Sequence, residues 1–293
     1  MEIVKGSIAI MGSGETSPAL VSVHRKFVEM LDNKVNAFLI DTPFGFQENA
    51  DVLVDKLQLF FKKSVQIEIK LASLRNTNNI DSVEYFEMLE QLKSSNFIFS
   101  GPGSPSYASK TWLHSEIPNV LTNHLKDGKN AVFSSAAAST LGEKTIPVYE
   151  IYKVGMTPFW EEGLNALELY GLSCTVVPHF NNKEGGNHDT SCSYIGKNRL
   201  NMLINEEYTN ILGIDEHTAL VINGEKEIFS VDGIGSVTVK TSNGQTVFEA
   251  GNEYSLSELQ SILQVTNKKE LQPKKTSSDN IDVNSLKKEI AKL

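Results

Sequence analysis

The sequence predicts an α/β fold in which a mostly parallel central sheet lies between two layers of helices. Short apolar runs typical of strands alternate with amphipathic stretches of helix length. The apolar runs are nearly continuous, as expected for strands whose two faces are both covered by helices. The predicted strands span residues 7–11, 37–41, 65–72, 96–100, 131–135 and 175–179, and helices are predicted at 49–62 and 83–92.

The pattern changes near residue 210 to the alternation of hairpin strands. Residues 219–233 alternate apolar with polar side chains, and Asn223-Gly224 and Asp232-Gly233 supply turn residues. We expect an antiparallel hairpin extension of the same domain from about residue 210. The domain is predicted to cover residues 1–263, followed over 264–293 by a polar, lysine-rich linker and a short helical tail.

Composition excludes several classes of protein. The 293 residues are 40% hydrophobic and 22% charged, with a net charge of −9, whereas a nucleic-acid binder needs clustered Lys and Arg. The apolar run at the N-terminus is too short for a signal sequence or a membrane span, so we expect a cytoplasmic protein that binds neither nucleic acid nor membranes. Two cysteines, Cys174 and Cys192, fit reduced thiols better than a disulfide framework.

The segment most informative about chemistry is 131–142. An apolar strand stops at Ser134 and Ser135, three alanines follow, and a helix pattern begins. Small residues of this kind allow the sharp strand-to-helix turn of a nucleophile elbow, which exposes a serine hydroxyl. We therefore predict Ser135 as a nucleophile, although small residues also occur wherever a strand end packs closely on a helix.

Two further segments supply partners for this serine. The strand at 175–179 ends at His179, and the segment 211–220 is interrupted by Asp215 and Glu216. A neutral serine hydroxyl needs an adjacent base, which a third group orients, so Ser135, His179 and one of these acids predict a triad. The other histidines in helix-like segments, His24, His114 and His124, are expected to be surface or half-buried residues.

Most of the candidate functional residues, and several turns rich in glycine and proline, follow the ends of predicted strands. They include Ser13, Glu15, residues 41–44, residues 100–105, Ser135 and His179. In open α/β sheets, ligands bind beyond the carboxyl ends of the strands, so one edge of the sheet is expected to hold the site. The turn at 12–15 lacks the full glycine pattern of a nucleotide-binding loop.

These motifs resemble the serine peptidase family of dipeptidase E and cyanophycinase. Phe-Ser-Ser-Ala-Ala-Ala at 133–138 is similar to the family's elbow, His179-Phe180 to its histidine motif, and Gly-Ile-Asp-Glu-His-Thr-Ala at 213–219 to its acidic motif. The resemblance covers roughly residues 5–235. It implies a three-layer sandwich, flavodoxin-like and similar to class I glutamine amidotransferases, with the antiparallel extension at the C-terminus.

The same resemblance implies roles for individual residues. Ser135 would be the nucleophile, His179 the base and Glu216 the orienting acid, with Asp215 as the alternative. The oxyanion would be held by the amide of Ala136 and by an amide of the turn at 101–104, where Gly101 or Gly103 could serve but Pro102 cannot donate. Phe133 and Ala137 stand where the family usually has glycines.

The substrate expected from this resemblance is a small peptide or amide, such as an aspartyl dipeptide. Cyanophycinase has several arginines after its histidine, whereas this chain keeps only Arg199 nearby. The candidate substrate-binding residues are Glu15, Ser104, Glu150, His188, Asp189 and Arg199. An alternative places a metal on Glu184, His188 and Asp189 with His179, but glycines at 185 and 186 favour a flexible substrate loop.

The leading prediction is therefore a serine hydrolase that uses no metal and no other cofactor and is a candidate homodimer. The alternative is a non-catalytic or repurposed member that binds a small molecule or a protein, suggested by Phe133, Ala137 and Pro102. Glutamine amidotransferase chemistry requires a cysteine at the elbow, and neither cysteine lies there.

Overall fold

The computed structural model describes residues 4–31 and 34–264. Its strands are β1 (Ser7–Met11), β2 (Ala37–Ile40), β3 (Ile69–Ala72), β4 (Phe97–Ser100), β5 (Asn130–Ser134), β6 (Lys144–Thr145), β7 (Glu161–Glu162), β8 (Thr175–Val177), β9 (Ile211–Ile214), β10 (Thr218–Asn223), β11 (Ile228–Gly233), β12 (Ser236–Thr241), β13 (Gly244–Glu249) and β14 (Glu253–Ser255). Most of the predicted linker and tail, residues 265–293, lies outside the described residues.

The helices alternate with the strands over the first two thirds of the chain. They are α1 (Pro18–Glu29), α2 (Ala50–Phe60), α3 (Val83–Ser94), α4 (Pro105–Leu113), α5 (Ile117–Lys126), α6 (Ala136–Ser139), α7 (Val148–Tyr152), α8 (Gly196–Glu206) and α9 (Leu256–Gln264), with short 3₁₀ helices at Thr42–Phe44 and Ala166–Tyr170. No helix in these described segments is long and apolar enough to cross a bilayer.

Eight strands form the central sheet, in the order β14-β11-β10-β1-β5-β4-β2-β3. Strands β1, β5, β4, β2 and β3 are parallel to one another, whereas β10, β11 and β14 continue the sheet in antiparallel fashion. The predicted fold class is confirmed: a mostly parallel central sheet with extra antiparallel strands from the C-terminal part.

Side chains of successive strand residues pack into two separate cores, one on each face of this sheet. In β1, Ile8 and Ile10 lie in the core covered by α3, α4, α5 and α9, whereas Ala9 and Met11 lie in the core covered by α1 and α2. This alternation follows from the period of two in a strand. The result is a sheet between two helical layers.

One predicted strand lies in a different sheet from the one expected. Strand β8 forms part of a four-stranded sheet of order β13-β12-β9-β8, in which it pairs in parallel with β9. Strand β1 pairs with β5 on one side and with β10 on the other, so β8 cannot lie beside β1. Strand β8 pairs with β9. This second sheet brings the end of β8 and the end of β9 side by side.

A second difference concerns the start of β3, which was predicted at residue 65. Helix α2 continues into a π-helical turn at Phe61–Val65, because that turn buries Phe61 and Val65 in the core. Gln66 then ends the turn with a φ of 68°, and the strand begins only at Ile69.

Candidate active site

Ser135 lies at a sharp turn between β5 and α6. Its φ is 51° and its ψ is −115°, a conformation that costs a non-glycine residue free energy and must be imposed by its surroundings. The Ser135 N–H donates to the carbonyl of Met11 at the end of β1 (3.0 Å), and the next residues, Ala136 and Ala137, are buried. The backbone therefore has the geometry of a nucleophile elbow.

The two residues that stand where the family usually has glycines, Phe133 and Ala137, are both buried. Phe133 lies in the core on one face of the sheet, and its ring packs edge-to-face on Trp112 with a centroid separation of 6.1 Å. Ala137 is buried within α6, and its N–H donates to the carbonyl of Gly101 (3.2 Å). Neither Phe133 nor Ala137 lines the cavity that Ser135 lines.

His179 faces Ser135 from the loop that follows β8. The distance from Ser135 Oγ to His179 Nε2 is 2.9 Å. The His179 backbone is held in the left-handed region, with a φ of 48°, and its N–H donates to the carbonyl of Gly12 (3.2 Å). The imidazole ring also contacts Tyr194, with ring centroids 5.1 Å apart.

Glu216 occupies the far side of the imidazole. Its Oε1 lies 2.8 Å from His179 Nδ1, and the same oxygen accepts a hydrogen bond from Asn182 Nδ2 at 2.8 Å. The Glu216 N–H donates to Asn181 Oδ1 (2.9 Å), so both the backbone and the side chain of Glu216 are fixed. The hydrogen bond with His179, and then that from Asn182, lower the pKa of Glu216 below its ordinary value.

Asp215, the alternative third member, is engaged elsewhere. Its Oδ2 accepts hydrogen bonds from the backbone N–H and the hydroxyl of Ser236, both at 2.9 Å.

The contacts of His179 define its role in the site. With Nδ1–H donating to Glu216, the Nε2 lone pair of His179 is free to accept the proton of Ser135. The geometry therefore supports Ser135, His179 and Glu216 as one hydrogen-bonded chain.

Gly12 explains how strands of two different sheets meet at this point. A Cβ atom on Gly12 would lie 2.1 Å from the carbonyl oxygen of Asp215, so only glycine allows this approach. Gly14, with a φ of 70°, packs equally closely on the ring of His217. The glycines of the 12–15 turn thus serve close packing between the end of β1 and the loop that carries Glu216.

The predicted oxyanion donors fall into two groups. Gly103 and Ala136 line the same cavity as Ser135, whereas Gly101 does not and offers its carbonyl to Ala137 instead. Ala136 begins α6, so its N–H has no acceptor within the helix. Gly103 has a φ of 150°, and a Cβ there would lie 1.9 Å from the Pro43 carbonyl oxygen. Of the two glycines, Gly103 fits the oxyanion position better.

The cavity beside Ser135 has a volume of about 470 Å³. Its wall includes Lys153 and Glu184, which are opposite in charge, and three tyrosines. Lys153 Nζ lies 5.0 Å from the ring centroid of Tyr152, and Tyr194 donates its hydroxyl proton to Glu184 Oε2 (3.3 Å). Burial and, to a smaller extent, the negative charges of Glu184 and Glu216 raise the pKa of Tyr194 to about 12.

Three of the predicted substrate-binding residues form hydrogen bonds within the protein. Ser104 is buried at the N-terminus of α4, where its hydroxyl accepts from the Tyr107 N–H (3.2 Å) as a helix cap. Glu150 accepts from the Ser106 hydroxyl (2.7 Å), and neither Ser104 nor Glu150 lines the cavity. Glu15 accepts from the Ser134 hydroxyl (2.8 Å) and lines a neighbouring cavity.

The other three predicted residues lie in or after the 184–189 loop. His188 is exposed and stacks on Tyr152, with ring centroids 6.1 Å apart. Asp189 accepts from the Ser191 hydroxyl (2.6 Å) and from the N–H groups of Lys197 and Ser191, and these hydrogen bonds lower its pKa. Arg199 is exposed on α8 and does not line the cavity. No group of three or more metal-ligating side chains occurs in residues 4–31 and 34–264.

The sequence does not indicate which residues position the acid and the histidine of the site. Asn181 and Asn182 are ordinary loop residues in the sequence, and their pairing with Glu216 depends on how two loops meet. Cys174 and Cys192 are both free and buried, and burial raises the pKa of both thiols. The local sequence holds one clue, since the loop with Asn181 and Asn182 directly follows His179.

A serine on a strand-to-helix elbow that contacts a histidine, itself bonded to a carboxylate, is the arrangement of serine hydrolases on α/β folds. The family model of peptidase family S51 matches residues 8–229. The chain belongs to this family, and it is a serine peptidase, a hydrolase that acts on peptide bonds. The resemblance predicted from the sequence motifs is confirmed.

Solved structures agree on the fold. A peptidase from an acI-B1 actinobacterium superposes with a TM-score of 0.69 at 23% identity, over 87% of this chain and 98% of that one. A putative peptidase E protein from Listeria monocytogenes EGD-e superposes with a TM-score of 0.52 at 16% identity, over 78% of this chain and 99% of that one. No curated protein matches the chain closely enough to count as a relative.

Proposed function

We propose that this peptidase cleaves a small peptide, with an aspartyl dipeptide as the first candidate, through an acyl-enzyme formed on Ser135. The observation that supports this most directly is the chain of two hydrogen bonds from Ser135 through His179 to Glu216, 2.9 Å and 2.8 Å long. A serine with no base at this distance would be a poor nucleophile.

In the proposed mechanism, Ser135 Oγ attacks the carbonyl carbon of the scissile bond as its proton moves to His179 Nε2. The ionised Glu216 stabilises the imidazolium that forms, and the amides of Gly103 and Ala136 donate to the oxyanion. His179 then gives its proton to the leaving nitrogen, the C–N bond breaks, and an ester remains on Ser135. Water, deprotonated by His179, hydrolyses that ester and regenerates the enzyme.

The charges of the cavity favour a substrate that carries its own charges. Lys153 offers a cation for a carboxylate, as an aspartyl side chain or a free C-terminus would supply, and Glu184 offers an anion for an amine. A volume of about 470 Å³ suits a small peptide rather than a folded protein. Lys153 therefore replaces Arg199 as the candidate for recognition of a carboxylate.

Hydrolysis of aspartyl dipeptides by the wild type, Ser135→Ala and Ser134→Ala tests this proposal, with the released amino acids quantified. We expect Ser135→Ala to lose at least a thousandfold in kcat. Ser134→Ala is the matched control, because it removes a neighbouring hydroxyl that faces Glu15, and it should keep activity within about tenfold. Hydrolysis at an unchanged rate by Ser135→Ala would refute the proposed mechanism.

A further inference from the structure

A second cavity of about 290 Å³ adjoins the one beside Ser135. Three residues, Pro102, Gly103 and Tyr149, line both cavities and form the lip between them. Gly103 is also the candidate oxyanion donor of the 101–104 turn. A substrate carbonyl held at this lip would therefore have one cavity on each side.

The lip is firmly positioned. The N–H of Ser104 donates to the Pro43 carbonyl at 2.8 Å, and Gly103 packs so closely on that carbonyl that a Cβ could not fit. The separation of the two cavities is therefore set by backbone contacts. A peptide bond has a chain on both sides, and a rigid lip between two cavities fits that requirement.

The chemistry of the second cavity is distinct from that of the first. Phe44, Leu53 and Leu57 supply apolar side chains from the 42–44 turn and α2, while Glu15 supplies a carboxylate. Glu15 Oε2 accepts from the Ser134 hydroxyl, which fixes the side chain and leaves Oε1 for a donor from a ligand. Lys56 is exposed and adds a cation to the wall.

We infer that this second cavity is a substrate subsite that takes a peptide residue with an apolar side chain, packed on Phe44, Leu53 and Leu57, and with an N–H or ammonium donor facing Glu15. The inference rests on the proposed function, because it requires the scissile carbonyl to lie between Ser135 and Gly103. The enzyme would then prefer peptides with an apolar residue on one side of the scissile bond.

Protection of Ser135 against diisopropyl fluorophosphate tests this subsite. The rate of adduct formation is followed by intact mass spectrometry with Asp-Leu, Leu-Asp, Asp-Ser or Ser-Asp present, so that either orientation of the peptide is sampled. We expect one leucine peptide to protect about tenfold better than its serine counterpart. Leu53→Ser should abolish that advantage, and Glu15→Gln should weaken protection by both peptides.

Leu59→Ser is the matched control, because Leu59 lies on the same helix and is exposed but lines neither cavity. It should keep the leucine advantage, and the rate without peptide is measured for every variant as the reference. Equal protection by leucine and serine peptides, or an advantage that survives Leu53→Ser, would show that the subsite inference is wrong while the labelled serine still supports the mechanism. A wild type that forms no adduct at Ser135 would overturn the proposed function, and this inference with it.

Discussion

Asn182 Nδ2 lies 2.8 Å from Glu216 Oε1, the same carboxylate oxygen that faces His179. The amide of Asn182 is itself oriented, since its Oδ1 accepts from the Glu184 N–H at 3.1 Å and its side chain is buried. A fixed donor on the acid limits the positions that the carboxylate can take, and the carboxylate in turn fixes the imidazole. Asn182 does not line the cavity beside Ser135, so we propose it as a positioning residue.

Asn182→Ala should therefore lower kcat about 100-fold while KM stays nearly unchanged, because the acid and the imidazole lose their alignment. Steady-state kinetics on a hydrolysed dipeptide measure both constants. Asn119→Ala, a substitution of an exposed asparagine on α5, serves as the control. A rise in KM alone would indicate that Asn182 contributes to binding rather than to alignment.

Replacing the neighbouring acids Glu216 and Asp215 by their uncharged amides should have different effects. Glu216→Gln is expected to lower kcat at least a thousandfold, because the group that stabilises the imidazolium loses its charge. Asp215→Asn should mainly lower the free energy of unfolding, by about 1–3 kcal/mol, since it weakens the hydrogen bonds from Ser236. Kinetics and urea denaturation of both variants check this, and a larger loss of kcat in Asp215→Asn would contradict the assignment.

Gly103→Ala tests the lip of the cavity. The added Cβ would collide with the Pro43 carbonyl, so the turn must shift, and with it the amide assigned to the oxyanion. We expect a loss of about 100- to 1000-fold in kcat. Gly251→Ala is a control with a similarly left-handed φ of 88°, in open space on a turn distant in sequence, and it should cost stability but little activity. Equal kinetic effects of the two variants would argue against a donor role for Gly103.

The stability of the protein should fall in mild acid because of two buried histidines. Burial lowers the pKa of His24 and of His124 from 6.5 to about 4 in the folded protein. Between these values the unfolded chain binds protons that the folded protein does not, so the free energy of unfolding decreases as the pH falls from 6.5 to 4. Each histidine should contribute about 1.4 kcal/mol per pH unit within that window.

Urea denaturation at pH 7.0, 5.5 and 4.5 measures this dependence. His24→Gln keeps a donor for the Glu15 carbonyl, which His24 Nε2 contacts at 2.8 Å, but cannot titrate, and it should lower the slope by about 1.4 kcal/mol per pH unit. His114→Gln, at an exposed position, should leave the slope unchanged. A slope that is the same in the wild type and His24→Gln would contradict this explanation.

The sequence predicted the parallel core and the elbow because both are local signals. Apolar runs reveal strands that are covered on both faces, and a serine followed by alanines reveals a tight turn. The prediction that His24 and His124 are surface or half-buried residues is wrong, since both are buried; a histidine in a helix pattern carries no sign of which face of the helix it occupies. His24 packs on Phe60 at the end of α2, Phe61 in the π-helical turn and Phe99 in β4.

The sequence also did not predict features that depend on how two loops or two sheets meet. The sequence placed β8 in the central sheet because it could not show that β10 takes the edge of β1. It likewise could not show that Asn181 and Asn182 form hydrogen bonds with Glu216. Each of these contacts joins residues distant in the chain, so no local periodicity or spacing predicts them.

Mass spectrometry of the protein after treatment with a fluorophosphonate tests the claim that Ser135 is an activated nucleophile. We predict a single adduct that maps to Ser135 in the wild type and in Ser134→Ala, is absent in Ser135→Ala, and forms much more slowly in Glu216→Gln. An adduct of equal yield in Ser135→Ala, or none in the folded wild type, would contradict the claim.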